Sequence, residues 1–330
     1  MMKNVLKKTT KVNSHNILGS GEVIAHLSMF FACAFWGLMA PLGKDAMMHG
    51  LDGLTMVSFR VTGGCLLFWF TSLFVKREHV PFRDKILFVG AGFLGLVTNQ
   101  CCYTIGLSIT SPINASIVTT SMPIFAMILA AIILKEPVTG KKASGVFLGC
   151  CGALILILTS ATHSSDKVGD IWGDLLCLLA QLSFALYLSL FNKLIKRYSV
   201  FTINKWMFLW ATVFVTPFTF SHVSEVVSHS IPSRSWLEAG YVVFFGTYIS
   251  YILTMIGQKK LRPTVVSVYN YVQPLVSVIV SVFTGIGILR PSHALAVLLV
   301  FSGVWLVTIS RSRADMERKA QEIQNMKSSR

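Results

Sequence analysis

Ser267, Asn270, Tyr271 and Pro274 fall at i, i+3, i+4 and i+7, the spacing of one helix face. Ser116, Thr119, Thr120 and Pro123 repeat that pattern earlier in the chain. Asn99, Tyr103 and Gly106 mark a third stripe, Gln181 with Phe184 a fourth, and Cys33, Trp36 and Gly37 a fifth. Hydroxyl, amide and aromatic groups of this kind hydrogen-bond and stack. They do not make up a nucleophile with its base. Each stripe lies inside a strongly apolar run, where a polar side chain turned towards lipid is costly. The stripes are therefore expected to face inward and line a cavity for a small solute. For any single residue, bonding to a neighbouring helix is the competing reading.

Arg60 is the lone full charge well inside an apolar run. It could counter a carboxylate on a solute, or snorkel its guanidinium back to the surface. Pro123 and Pro274 sit near the middle of their runs, where each removes a backbone N–H and frees the carbonyl four residues back, those of Thr119 and Asn270. Such a pair reads either as hinges in a pathway or as simple kinks. Trp36 and Tyr103 could wall a pocket, whereas Trp206, Trp236 and Trp305 read as anchors at a membrane surface.

Other chemistries lack their residues. No GxxxxGK[ST], HExxH or GxSxG is present, so neither an ATPase nor a hydrolase is expected. The seven cysteines lie in apolar runs without a CxxC or a nearby histidine, so neither metal nor cofactor is expected. The acids that approach the apolar runs, Glu22, Asp45, Glu136, Asp170 and Asp174, stand at their ends. This leaves facilitated diffusion, exchange and proton coupling open.

The elements that would position these stripes follow from composition. Only 13% of the residues are charged and 53% are hydrophobic, against about 25% charged in an ordinary soluble domain. A hydrocarbon core is crossed by about 20 apolar residues. Ten runs qualify, over 23–43, 54–75, 86–107, 113–134, 142–160, 171–192, 203–221, 236–257, 264–286 and 293–310. The longest connection is 221–235, and 311–330 reads as a solvated tail. The net charge of +15 does not imply nucleic acid, because the basic residues sit in short clusters between the runs. Threaded through ten spans, 24 of the 29 fall on one side and four on the other, with Arg60 inside a span. The positive-inside rule then puts both termini in the cytoplasm and the chain in the inner membrane.

The chain also resembles itself. Offset by 151, Pro112, Ser116, Pro123 and Gly152 meet Pro263, Ser267, Pro274 and Gly303, and Gly95 and Gly106 meet Gly246 and Gly257. Offset by 148, Trp36 meets Phe184 and Lys44 meets Asn192. Each half holds five spans. Five is odd, so the second half must enter the membrane from the opposite side, the inverted repeat found in secondary transporters. The expected fold is an all-α membrane protein of ten helices, with a tail 1–22, a first repeat 23–160, an inverted second repeat 161–310 and a tail 311–330.

In order and duplication, FWGLMAPLGK at 35–44, SFR at 58–60, GLVTNQCCYTIGLSIT at 95–110 and LKEP at 134–137 resemble the EamA family of the drug/metabolite transporter superfamily. So do GDLLCLLAQLSFALY at 173–187, GTYISYILTMIGQKKLRPT at 246–264 and SVYNYVQPLVSVI at 267–279. The resemblance covers roughly 24–310. It implies a ten-helix basket with a central cavity and the export of a small metabolite, often an amino acid or related compound. It also makes Arg60 a family feature. The second half departs from the first, with Gly287 opposite Glu136 and no tryptophan equivalent to Trp36. A membrane receptor, a structural membrane protein and an intramembrane enzyme are the competing classes. The expected partners are the bilayer and the substrate, together with a homodimer if the GxxxG at 145–149 faces outward.

This topology is checked by fusing reporters to the two ends in cells. Both are expected in the cytoplasm, and ends on opposite faces of the bilayer would contradict the odd-numbered repeat.

Overall fold

The computed structural model describes residues 20–110, 115, 118–161, 171–228, 231–283, 291–310 and 321. Ser116, Asp170, Gly287 and most of both tails lie outside the described residues. Within them, every regular element is helical. The first part of the chain forms α1 (Ser20–Met48), α2 (Gly53–Ser72), α3 (Phe82–Gly92), α4 (Asn99–Ile109), α5 (Met122–Ile133) and α6 (Gly140–Ala161). The rest forms α7 (Ile171–Leu190), α8 (Asn192–Arg197), α9 (Val200–Ser228), α10 (Ser233–Val243), α11 (Ser250–Lys260), α12 (Pro263–Val268), α13 (Val272–Phe283) and α14 (Pro291–Thr308).

Helices predominate because lipid offers no partner for a backbone N–H or C=O, and a helix satisfies both internally. Six stretches are long and apolar enough to cross a membrane: Gly21–Met48, Gly53–Ser72, Phe82–Ile109, Ile171–Leu190, Val200–Val226 and Ser233–Lys260. Met122–Ile133 and Ala294–Thr308 are shorter apolar helices. Large apolar side chains on the outside, such as Phe218 and Leu237, are almost fully exposed, as lipid-facing groups would be. The connection expected over 221–235 is much shorter. α9 runs on to Ser228, and α10 starts just after Pro232.

Two long helices are compound. α3 passes into α4 through the π-helical stretch Phe93–Thr98, and α10 into α11 through the π-helical stretch Phe244–Ile249. Beginnings, π stretches and ends of Phe82–Ile109 and Ser233–Lys260 all coincide at the offset of 151. In the second stretch the wider turn is held by side chains. Thr247 Oγ1 and Ser250 Oγ donate to the carbonyls of Val242 and Phe245, each five residues back, at 2.9 and 2.7 Å.

The contacts follow the same offsets. A Cβ on Gly95 would stand 2.8 Å from the Tyr187 ring, and one on Gly246 2.9 Å from Met39 Sδ; Tyr187 and Met39 differ by 148. A Cβ on Gly152 would stand 2.7 Å from the Ala296 carbonyl, and one on Gly303 2.6 Å from the Gly145 carbonyl; Gly145 and Ala296 differ by 151. Gly145 of the GxxxG motif thus packs against α14 of its own chain. Asn99 Nδ2 donates to the Ala180 carbonyl at 2.9 Å and Ser250 Oγ to the Ala32 carbonyl at 3.5 Å, again one pair carried onto another.

The prolines do not kink continuous helices, as their mid-run positions suggested. Pro123 stands in the first turn of α5, after a tight turn in which Ser121 N bonds the Val118 carbonyl at 3.0 Å. Pro274 stands in the first turn of α13, after the 3-10 turn Tyr269–Tyr271. The first span is interrupted by that turn, whereas the second stays helical through a change of pitch, and each proline stands in the first turn of the α-helix that follows.

Cations close the helix ends. Lys44 Nζ donates to the carbonyls of Leu107 and Ser108 at 2.8 and 2.9 Å, in the last turn of α4. Arg262 donates to the carbonyls of Thr308 and Ser310 at the end of α14, at 3.2 and 2.8 Å. These are favourable placements for positive charge on a helix dipole. Lys85 and Lys205 lie over the Trp206 ring at 5.1 and 5.8 Å from its centre, as befits an anchor at a membrane surface.

The α6–α14 crossing is tested by thermal unfolding of the detergent-solubilised protein. Gly303→Ala is expected to destabilise by about 1–3 kcal/mol, the range of an overpacked core. A Cβ on Gly240, in α10, would meet nothing within 4 Å. Gly240→Ala should therefore be neutral or stabilising by up to about 1 kcal/mol. Equal effects from the two would refute the close approach.

Candidate functional site

A cavity opens among α1, α2, α4, α7, α11 and the turns before α5 and α13. Trp36, Met39, Arg60, Asn99, Gln100, Tyr103, Thr119, Gln181, Phe184, Tyr251, Asn270 and Gln273 line it. Eight of the expected site residues are thereby brought together: Trp36, Arg60, Asn99, Tyr103, Thr119, Gln181, Phe184 and Asn270.

Its walls are aromatic. The Trp36 ring meets Phe184 edge-on at 6.4 Å and Tyr251 at 6.0 Å between centroids. Trp36 Nε1 donates to the Gly246 carbonyl at 2.9 Å, which ties α1 to the second π stretch. Gly246 leaves room there for Met39, one turn along α1. On the other side Ser183 Oγ donates to the Leu94 carbonyl at 2.7 Å, tying α7 to the first π stretch.

Its polar groups are amides, hydroxyls and one guanidinium. Gln100 Nε2 donates to Tyr251 Oη at 3.1 Å, and Gln273 Nε2 to Asn270 Oδ1 at 2.9 Å. Cys33 Sγ donates weakly to the same Asn270 oxygen at 3.8 Å. Arg60 is buried between α4 and the second π stretch. Nε donates to Thr247 Oγ1 at 3.2 Å and Nη1 to Thr104 Oγ1 at 3.1 Å. It does not snorkel to the surface. Its side chain is held in the interior by hydroxyls from two other helices.

Three expected residues are elsewhere. Ser267 is buried, and its hydroxyl donates to the Thr264 carbonyl at 2.8 Å. Tyr271 lies against Gly149 and donates to the Val146 carbonyl at 3.1 Å. Thr120 accepts a weak bond from Cys150 Sγ at 3.9 Å. The stripe Ser267–Asn270–Tyr271 assumes an unbroken α-helix. The 3-10 turn at Tyr269–Tyr271 has about three residues per turn, so Asn270 and Gln273 share the cavity face and Tyr271 turns away. Ser116 lies outside the described residues.

Met39, Gln100, Gln273 and Tyr251 are cavity residues that the stripes omit. Three of them carried a readable signal, since Met39, Gln100 and Gln273 each stand three residues from an expected one. Tyr251 lies 151 residues after Gln100.

The cavity carries hydrogen-bonding and stacking groups and one permanent cation. Among the described residues no cluster of histidine, cysteine, aspartate or glutamate is arranged for a metal.

Comparison with known proteins agrees with this architecture. A solved crystal structure superposes with a TM-score of 0.69 at 18% identity, over 87% of this chain and 98% of the other, which establishes a shared fold. YyaM of Bacillus subtilis, described as an uncharacterized transporter, is 23% identical over 81% of this chain and 84% of its own. YetK of the same organism, described in the same words, is 23% identical over 93% of each chain. The model of the EamA-like transporter family matches twice, over residues 23–158 and 171–309. With several membrane-crossing helices and two family matches that take in nearly all of them, this multi-pass membrane protein belongs to the EamA-like transporter family.

Proposed function

We propose that the chain is a secondary transporter that exports a small metabolite, an amino acid or related amphipathic compound, by alternating access through the cavity. Two five-helix halves, 23–160 and 161–310, insert in opposite orientations, and both termini lie on the cytoplasmic side of the inner membrane. Trp36, Arg60, Asn99, Tyr103, Thr119, Gln181, Phe184 and Asn270 form the substrate site, and the turns at Pro123 and Pro274 serve as hinges.

One observation carries this reading: residues that exchange between the halves touch each other in the cavity wall. Trp36 and Phe184, 148 apart, are in ring contact, and Gln100 and Tyr251, 151 apart, are hydrogen-bonded. A residue meets its own counterpart where a two-fold axis passes between them, as in any isologous contact. Between halves of five spans each, such an axis lies in the membrane plane, which is the arrangement of inverted-repeat transporters with a midplane site.

The bonds that fasten α7 and α1 to the two compound helices are not equal. α7 is held on the first compound helix by bonds of 2.9 and 2.7 Å, from Asn99 and Ser183. α1 is held on the second by the Trp36 bond at 2.9 Å and the long Ser250 bond at 3.5 Å. Exchange of the tighter and looser arrangements between the halves would open the cavity to the opposite face.

The test is flux in proteoliposomes loaded with metabolites, with and without a pH gradient. Efflux of amino acids or related compounds is expected, and its response to the gradient shows whether protons are coupled. Folded protein that binds solute without moving any would instead support a receptor. Trp36→Phe keeps the ring and removes the N–H. It should slow flux by roughly threefold to tenfold, the value of one neutral hydrogen bond, and undiminished flux would remove Trp36 from the gating contacts.

A further inference from the structure

Arg60 is the only charged side chain among the residues that line the cavity, and it is 4% exposed. Arginine keeps its proton under all ordinary conditions. Its guanidinium has five N–H groups. Two are used, on Thr247 and Thr104. Both acceptors are neutral hydroxyls, and the ion pairs among the described residues all involve other cations. A buried cation without a counter-charge is expensive in a low-dielectric setting. Arg60 lines the cavity, so its unused donors belong to a residue of the cavity wall.

A second feature of the same wall points to a ligand. Gln100 is 1% exposed and lines the cavity. Its Nε2 is engaged by Tyr251, but its Oε1 has no partner among the described residues. The lining thus holds surplus donors on a cation and, on the buried Gln100 amide, an acceptor left without a partner.

We infer that Arg60 receives a carboxylate of the transported solute in a charge-assisted pair, and that solutes whose only charge is positive are rejected. The inference rests on the transport reading above. Arginine's fork fits a carboxylate with two parallel bonds. A cation would meet Arg60 in a poorly screened space where no lining carboxylate offsets the repulsion. A second, positive end of a zwitterion is accommodated, because Trp36 and Tyr251 supply π-systems to the same wall. Thr104 belongs to α4 and Thr247 to the second π stretch, so the supports of Arg60 come from different compound helices. A movement of one relative to the other alters how firmly the guanidinium is held, which links the grip on the carboxylate to the state of the transporter.

The experiment loads proteoliposomes with a defined mixture and identifies the species released by mass spectrometry. The mixture holds the twenty amino acids, their amides and decarboxylated amines, 2-hydroxy and 2-oxo acids, and neutral sugars. Thermal stabilisation of the purified protein by each compound is measured in parallel. Every released or stabilising species is expected to carry a carboxylate, and R60Q should weaken its release and stabilisation by at least about tenfold, as loss of a hydrogen-bonded charge does. R60K, which keeps the charge and loses the fork, should fall between. The selectivity of the unmodified protein decides the matter even if both variants fold poorly. Release of amines, amides or sugars at rates like those of the acids would overturn this inference and leave the transport reading standing. Stabilisation by carboxylates that R60Q abolishes, without any release, would uphold it and refute the transport reading. Neither release nor stabilisation by any carboxylate in the mixture would overturn it.

Discussion

In lipid, helices are not pressed together by the hydrophobic effect, because the tails are as apolar as the side chains. What remains is close contact, and in this chain close contact depends on glycine. Gly95, Gly246, Gly145, Gly152 and Gly303 all stand where a Cβ would lie under 3 Å from an atom of the helix opposite. The crossings set the spacing of everything else. Because α7 comes against the first π stretch and α1 against the second, Phe184 and Trp36 arrive at the same level and touch. A bulkier residue at Gly246 would displace Met39 and, with it, the turn of α1 that carries Trp36.

The π stretches follow from that need. A π turn widens the helix by one residue and leaves carbonyls to be satisfied by side chains. In both stretches a side chain of a neighbouring helix supplies the bond, Ser183 to Leu94 and Trp36 to Gly246. The bonds that stabilise the fold are thus the same ones that fasten one moving part to another. A hydrogen bond of this kind contributes about 1 kcal/mol, enough to bias two states and little enough to be exchanged.

Much of this was legible in the residues. The boundaries of Phe82–Ile109 and Ser233–Lys260 repeat at the offset that aligned Gly95 with Gly246, so the correspondence of the two helices was legible in the glycines, whereas their π stretches were not. Eight of the expected side chains line one cavity, because a polar group in an apolar run has few other places to go. The failures share a cause. Helical periodicity assumes one pitch, and the chain changes pitch where it functions. The 3-10 turn before Pro274 turned Tyr271 away from the cavity, against α6, and brought Gln273 in. Arg60 was ambiguous for a different reason. Its depth in a run allows either snorkelling or burial, and only the hydroxyls of Thr104 and Thr247, distant in sequence, settle which occurs.

The choice of hydroxyls over a carboxylate as partners of Arg60 bears on turnover. An internal aspartate would neutralise the guanidinium and leave nothing for a solute to gain. A fully desolvated arginine without support would hold an anion too firmly to release it, since passage requires binding that favours entry and still permits exit. Thr104 and Thr247 lie between these limits. Each hydroxyl offers a dipole that offsets part of the desolvation of the cation without cancelling its charge. Thr247 also donates to the Val242 carbonyl, so its oxygen is oriented by the π stretch itself. The hydroxyl that supports the cation is thus positioned by the backbone geometry of that stretch.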